Sequence, residues 1–214
     1  MKDIIKFLEF IKESADSDRM SIENQEKQIV SECIRRGYDY ILEILIKDDI
    51  NPDIEFVENG GYVNSVICAV SNNDYKILEM LLDSGAKIDT FKPFVNSIVP
   101  DPNQHCPSIF YYASTIGMLW YILDNDANPT LEDNKGFNLF DYYGESFKPK
   151  IGAGYRVFRP KILKELKSEK FVNWFVKKYP QKATELRKIF DEEEYQKIKD
   201  KYSNIFKTSD LGLF

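Results

Sequence analysis

Apolar residues recur along the chain at helical spacing, in short runs that each end at a Gly, Asn or Asp followed by polar residues. Ile4, Ile5, Leu8 and Ile11 alternate with Lys, Asp and Glu, which predicts an amphipathic capping helix over residues 1–23. Ile41, Leu45 and Ile46 form one stripe, Ile77, Leu81 and Leu82 a second, and Ile122 and Leu123 a shorter third. Each stripe is too short to be buried by its own segment, so neighbouring segments must stack, and a helical solenoid over residues 24–146 follows. Outward hairpins are expected near 51–63, 87–107 and 126–137. From 147 to 160 the pattern lapses around Gly152, Gly154 and two prolines, which predicts a connector with Pro160 as the first residue of the next helix. Ile162, Leu163, Leu166, Phe171, Trp174 and Phe175 then resume helical spacing. Lys182 to Phe190 reads as a further helix, and Asp191 to Glu194 place acid in the first turn of a last one, so residues 161–214 form a helical appendage capping the final repeat.

The runs also resemble one another. Asn64 to Asp89 matches an ankyrin repeat nearly residue for residue. Ala69 takes the small position of the first helix, Asn73 the turn where glycine is usual, and Gly85-Ala86 the stop after the second helix. Asn64-Ser65-Val66-Ile67 stands in place of the Thr-Pro-Leu-His opening. Cys33, 36 residues before Ala69, begins the same layout upstream, with Gly37 in the turn and Asp49 to Asp53 at the exit. Ser108 to Tyr121 gives two short helices of a third copy, with Asp126-Ala127-Asn128-Pro129 as its exit. Asp133 to Tyr142 resembles the hairpin and helix start of a fourth, with Gly136 in the tight turn.

The resemblance to the ankyrin-repeat family implies an all-α solenoid with a C-terminal helical cap. It also implies a partner protein met by the hairpin tips and the exposed ends of the first helices. Carried over position by position, that surface holds Arg35 and Arg36 in the first copy. Gly60, Gly61, Val63, Ser71 and Asn72 follow in the second, Thr115 and Ile116 in the third, and Asn134, Lys135 and Phe137 in the fourth. Glu55, Glu58, Asp89, Glu132 and Asp133 surround it. Phe91 and Phe94 join the candidates for a separate reason: the segment from Phe91 to Pro107 carries four prolines and is too long for an ordinary repeat connection, so it should loop out and bind or pack.

Charge sharpens the picture. The 214-residue chain has a net charge of −6, but residues 1–146 hold 12 basic and 26 acidic side chains, and 147–214 hold 17 and 9. The first part is therefore −14 and the second +8. An acidic solenoid favours a partner with a basic surface. Lysines of the appendage are interleaved with glutamates instead of gathered into one stripe, which argues against nucleic acid. No apolar run is long enough to span a bilayer, and three distant cysteines, Cys33, Cys68 and Cys106, suit buried thiols in a reducing, cytoplasmic setting.

Candidate chemistry is sparse. His105 is the single histidine, so multi-histidine metal sites are excluded, and its neighbour Cys106 is poorly placed to act with it as a nucleophile pair. Gly152-Ala153-Gly154 is too short for a dinucleotide fingerprint, and the acidic pairs are explained by helix starts and exits. Tyr111/Tyr112 and Trp120/Tyr121 cannot both pack as adjacent pairs, so one of each is a contact candidate. The expectation is a monomeric, non-enzymatic protein-binding module without metal or cofactor, of the inhibitor or immunity type, neutralising a basic toxin or enzyme by covering it. The alternatives are a pathogen- or virus-encoded scaffold or effector that binds a host protein, and a nucleic-acid binder acting through the basic C-terminal helices.

Overall fold

The computed structural model describes residues 22–47, 51–52, 54–58, 61–90, 107–144 and 153–210. Two compact units divide the chain, Met1–Tyr112 and Ala113–Phe214. Among the described residues helix predominates, in keeping with the expected all-α class, and the one β element is a short hairpin. The expected helix over 1–23 falls almost wholly outside the described residues.

In the first unit, α1 (Ile22–Arg36) pairs with α2 (Asp39–Lys47), and α3 (Ser65–Ser71) pairs with α4 (Tyr75–Asp83). Strands β1 (Glu55–Glu58) and β2 (Gly61–Asn64) form an antiparallel hairpin between the pairs, with Glu55 opposite Asn64 and Glu58 opposite Gly61. The pairs stack like on like: α1 packs against α3 and α2 against α4. Asn64 ends the hairpin and starts α3 at once. Its side-chain oxygen accepts from the amides of Val66 at 2.8 Å and Ile67 at 3.4 Å, satisfying donors that a helix start leaves open.

Each helix pair is closed by the same turn. Gly37 and Asn73 adopt left-handed φ values of +68° and +58°. The amide of Tyr38 reaches back to the Cys33 carbonyl at 2.8 Å, and that of Asp74 to the Ala69 carbonyl at 2.9 Å. Bonds reaching back three residues, from the Gly37 amide to the Ile34 carbonyl at 3.4 Å and from the Asn73 amide to the Val70 carbonyl at 3.0 Å, complete the double-bonded helix stop. Cys33 and Ala69 are fully buried, because a larger side chain there would hold the helices apart. The inward stripe of α4 is Ile77, Leu78 and Leu81, with Leu82 only half-buried at its border. In α2 the buried residue is Leu42, the counterpart of Leu78, while Ile41, Leu45 and Ile46 are half-buried. The expected stripes are thus turned by one residue, since i, i+1 and i+4 define the inward face of these short helices.

In the second unit, α5 (Ile116–Asp124) ends in the closure that also ends α4: Asp126 is left-handed at φ +65° as Gly85 is at +96°, and Ala127 is buried as Ala86 is. The first helix expected in the third copy is a single 3-10 turn, Ile109–Tyr111, belonging to the first unit. Thr115 stops any continuation by capping α5 instead. Helix α6 (Leu139–Tyr143) opens on Asn138, which repeats the Asn64 cap and adds a reciprocal bond from its own amide to Asp141.

The cap is built from α7 (Ala153–Leu166), α8 (Glu169–Lys178), a 3-10 segment (Pro180–Lys188), α9 (Glu192–Lys201) and α10 (Ser203–Asp210). Three expectations are corrected. Helix α7 begins at Ala153, so the connector ends early and Pro160 lies inside the helix. Lys182 to Phe190 is largely 3-10, entered through Pro180 at its first position. Asp191 to Glu194 open a penultimate helix, where Asp191 and Glu194 cap each other reciprocally. Helix α6 packs against α7 and the 3-10 segment. Phe140 meets the rings of Phe171 and Phe175 at centroid distances of 6.2 and 4.7 Å, which covers the apolar face of the last repeat-like helix. Gly144 lets the 3-10 segment approach: a Cβ there would lie 2.6 Å from the Lys188 carbonyl oxygen.

Candidate functional site

Four expected contact residues come together in the first unit. Arg35 and Arg36 end α1, Ser71 and Asn72 occupy the positions 36 residues on at the end of α3, and the two helices pack side by side. All four are exposed. The Asn72 amide donates to the Ile34 carbonyl at 3.5 Å, tying the second end to the first. Both guanidinium groups converge on Glu32, a residue that sequence reasoning missed. Arg35 donates from Nε at 3.1 Å and from Nη2 at 2.7 and 2.8 Å, and Arg36 donates from Nε. Glu32 is buried to 8% exposure, so the two arginines compensate a carboxylate that would be costly alone. Its spacing, three and four residues before two arginines, is the signal that could have found it.

The hairpin supplies the next part of the edge. Its register places Glu58 opposite Gly61 at the turn and Val63 opposite Phe56. Gly60, Phe91, Phe94, His105 and Cys106 lie outside the described residues.

In the second unit Glu132, Asn134 and Lys135 are exposed, and Phe137 is half-buried. Asp133, expected as a surface charge, is instead buried at 8% exposure. One carboxylate oxygen accepts from the amides of Lys135 at 2.7 Å and Phe137 at 3.0 Å, and the other from the Tyr142 hydroxyl at 2.6 Å. Asp133 therefore shapes the hairpin from within. Thr115 is similarly engaged, its hydroxyl accepting from the Met118 amide at 3.1 Å, whereas Ile116 beside it is exposed.

The aromatic candidates Tyr111, Tyr112, Trp120 and Tyr121 are all half-buried. Tyr111 and Tyr112 meet edge to face at 5.2 Å, and burial pushes the Tyr111 hydroxyl up to about 12. Trp120 donates its indole N–H to Glu165 at 2.8 Å, touches Phe171 and Trp174, and carries the Lys170 ammonium 4.0 Å above its ring.

Charges within the second unit are extensively paired. Lys178 reaches Asp126 at 2.8 Å, and their hydrogen bond holds that carboxyl below its usual range. Lys188 binds Asp141 at 2.7 Å and Glu185 at 2.9 Å, while Asn138 also donates to Glu185. Lys167, Arg187, Lys197 and Lys201 pair with Glu194, Glu192, Glu193 and Glu169.

Among the described residues no group of three or more His, Cys, Asp or Glu could hold a metal, and no helix is long and apolar enough to cross a membrane. Cys33 and Cys68 are buried thiols, and burial raises Cys33 to about 12, which keeps it protonated and unreactive.

No family model matches the chain, and no curated protein matches it at a significant level. Among solved structures it is similar to a crystal structure of an ankyrin repeat protein, at 15% identity over 80% of this chain and 98% of that one, with a TM-score of 0.34.

Proposed function

We propose that the chain is a protein-interaction module whose acidic repeat region covers a basic surface on a partner, and that it acts as an inhibitor of the immunity type. The observation that supports this most directly is the charge division, −14 over residues 1–146 against +8 beyond, together with what the appendage does with its cations. Six of the 17 lysine and arginine side chains beyond residue 146 form ion pairs within their own unit, two of them with Asp126 and Asp141 of the acidic part, which keeps these six out of any free basic stripe. Pairing of this kind also disfavours binding to nucleic acid, which needs cations available for phosphates.

The mechanism is steric and electrostatic. A stack folded in advance loses little conformational freedom on binding, and an acidic field draws in a cationic partner and lowers the chance of wrong encounters. In this reading the first unit offers Arg35, Arg36, Ser71, Asn72 and Glu58 for contact, and the second unit, taken by itself, offers Glu132, Asn134 and Lys135. The experiment is stopped-flow association with a partner isolated by affinity capture, across a salt series. Association slows as salt rises, and Glu58→Lys with Glu132→Lys slows it further, while Lys197→Glu with Lys199→Glu leaves it unchanged or faster. A rate indifferent to salt and to the acidic-edge reversal, or abolished by the lysine changes, overturns the reading.

A further inference from the structure

The ammonium of Lys178, the last residue of α8, sits in a corner with three walls, all of them within the second unit. It lies 5.3 Å from the centre of the Trp174 ring and 5.9 Å from that of Tyr179, both inside the reach of a cation–π contact. The third wall is Asp126, whose carboxylate accepts from the ammonium at 2.8 Å. Trp174 and Tyr179 stand at 64° to each other with centroids 5.9 Å apart, so the rings make an angled corner and not a flat stack. Trp174 also meets Trp120 at 5.8 Å, and Tyr179 stacks on the buried Phe175 at 5.5 Å, which fixes both rings from behind. Asp126 is fixed by its backbone, in the left-handed turn that closes α5.

The walls are rigid, and the group between them is not. The side chain of Lys178 is 35% exposed and that of Asp126 88%, so their ion pair is open to solvent and contributes little to stability. The long lysine stem also regains rotamer freedom on leaving. Acid at the corner exceeds what Lys178 neutralises. The hydrogen bond to Asp126 is the chief cause that holds Lys178 above the ordinary lysine range, and attraction to Asp124 adds to it. Asp124 is exposed and forms no ion pair of its own among the described residues, so two carboxylates act on one ammonium.

We infer that Trp174, Tyr179 and Asp126 form a cation cage that receives a lysine or arginine side chain of the partner, with Lys178 filling it until that side chain displaces it. The inference rests on the basic partner proposed above and gives that partner's surface one anchor on the second unit. The group held in the free chain shows the chemistry the cage takes, a single cation on a slim apolar stem set against two rings and an acid. An anionic side chain is repelled by Asp124 and Asp126, and a neutral amide lacks the charge that the rings attract.

The test follows the full chain by NMR with end-blocked tripeptides Gly-Lys-Gly, Gly-Arg-Gly and Gly-Gln-Gly. In the free protein the two rings displace the Lys178 ε-methylene signal upfield. Saturating Gly-Arg-Gly returns it to the ordinary position and moves the Trp174 indole signal, whereas Gly-Gln-Gly moves neither. Lys178→Ala binds the Lys and Arg tripeptides at least about tenfold more tightly than the unaltered chain. Lys177→Ala removes the same charge from an exposed neighbour and leaves their affinity within about twofold. Adding Trp174→Leu to Lys178→Ala abolishes the gain. Adding Asp126→Asn instead, which keeps a residue that tolerates the left-handed turn, reduces the gain about fivefold. An ε-methylene already at its ordinary position in the free protein, equal gains from Lys177→Ala and Lys178→Ala, or a gain that survives Asp126→Asn overturns the cage. Tripeptides that fail while partner association keeps its salt dependence remove the cage alone. A rate indifferent to salt, with the tripeptides bound as stated, removes the basic partner and this use of the cage with it.

Discussion

Gly37 and Asn73, 36 residues apart in sequence, stand in the same left-handed turn with φ values of +68° and +58°. The same position is thus filled once by the residue that adopts it without strain and once by the side chain that tolerates it best. Replacing Asn73 by Ala should cost about 1–2 kcal/mol, and replacing it by Gly considerably less. Urea unfolding of both variants checks this, and equal stability of the two would remove the backbone explanation.

Asp133 and Glu132 are adjacent acids with opposite structural duties. Asp133→Ala strands two amides and the Tyr142 hydroxyl, and should cost about 2–4 kcal/mol. Glu132→Lys should leave thermal unfolding where it was, because Glu132 is exposed. Comparable losses in the two variants would contradict the buried role of Asp133.

Gly144→Ala tests the seating of the cap. The added methyl would meet the carbonyl oxygens of Lys188 at 2.6 Å and Phe140 at 2.9 Å. Neither is a flexible side chain, so the substitution should cost about 1–3 kcal/mol and speed hydrogen exchange in the 3-10 segment. Unchanged exchange from Pro180 to Lys188 would mean that the segment is not held there.

Acid should loosen the exposed ion pairs in a predictable direction. Asp39, Asp126 and Glu169 are held below the usual carboxylate range, chiefly by hydrogen bonds from Lys76, Lys178 and Lys201. A carboxyl with a depressed folded pKa adds stability above its unfolded value, about 4, and that contribution is lost as pH falls through the folded value. Lys178→Met should return Asp126 to the ordinary range and weaken the pH dependence below about 4. Carbon-detected NMR of the Asp126 carboxyl reads the shift directly, and an unmoved titration would show that the pair does not form in solution.

Helix stops and starts were the most legible part of the chain, because they depend on one or two residues. Gly37, Asn73 and Gly85 mark real left-handed turns, and Asp191 a real cap. Which apolar residue faces inward was less legible. Leu42 and Leu78 are buried although Leu45 and Leu82 fit the repeat template as well, since one residue of rotation in a nine-residue helix changes its face. The start of α7 was hidden because Gly152, Gly154 and Pro160 all argue against helix locally. At the candidate edge, exposure at Arg35, Arg36, Ser71 and Asn72 follows from their place at helix ends. Burial of Asp133 depends on Tyr142 nine residues later, a pairing that repeat patterns do not encode.

The double-bonded stop recurs after α1, α3, α4 and α5 with the same two reach-back distances in sequence, five residues and three. Each is made between groups already close along the chain, so closing it entails almost no search through conformational space. An early folding chain can therefore set its helix ends before any stripe is buried, leaving only short helices to collide. Damage should also stay local: a faulty stop ought to fray one pair, seen as accelerated exchange at those amides, while the neighbouring pair keeps its protection.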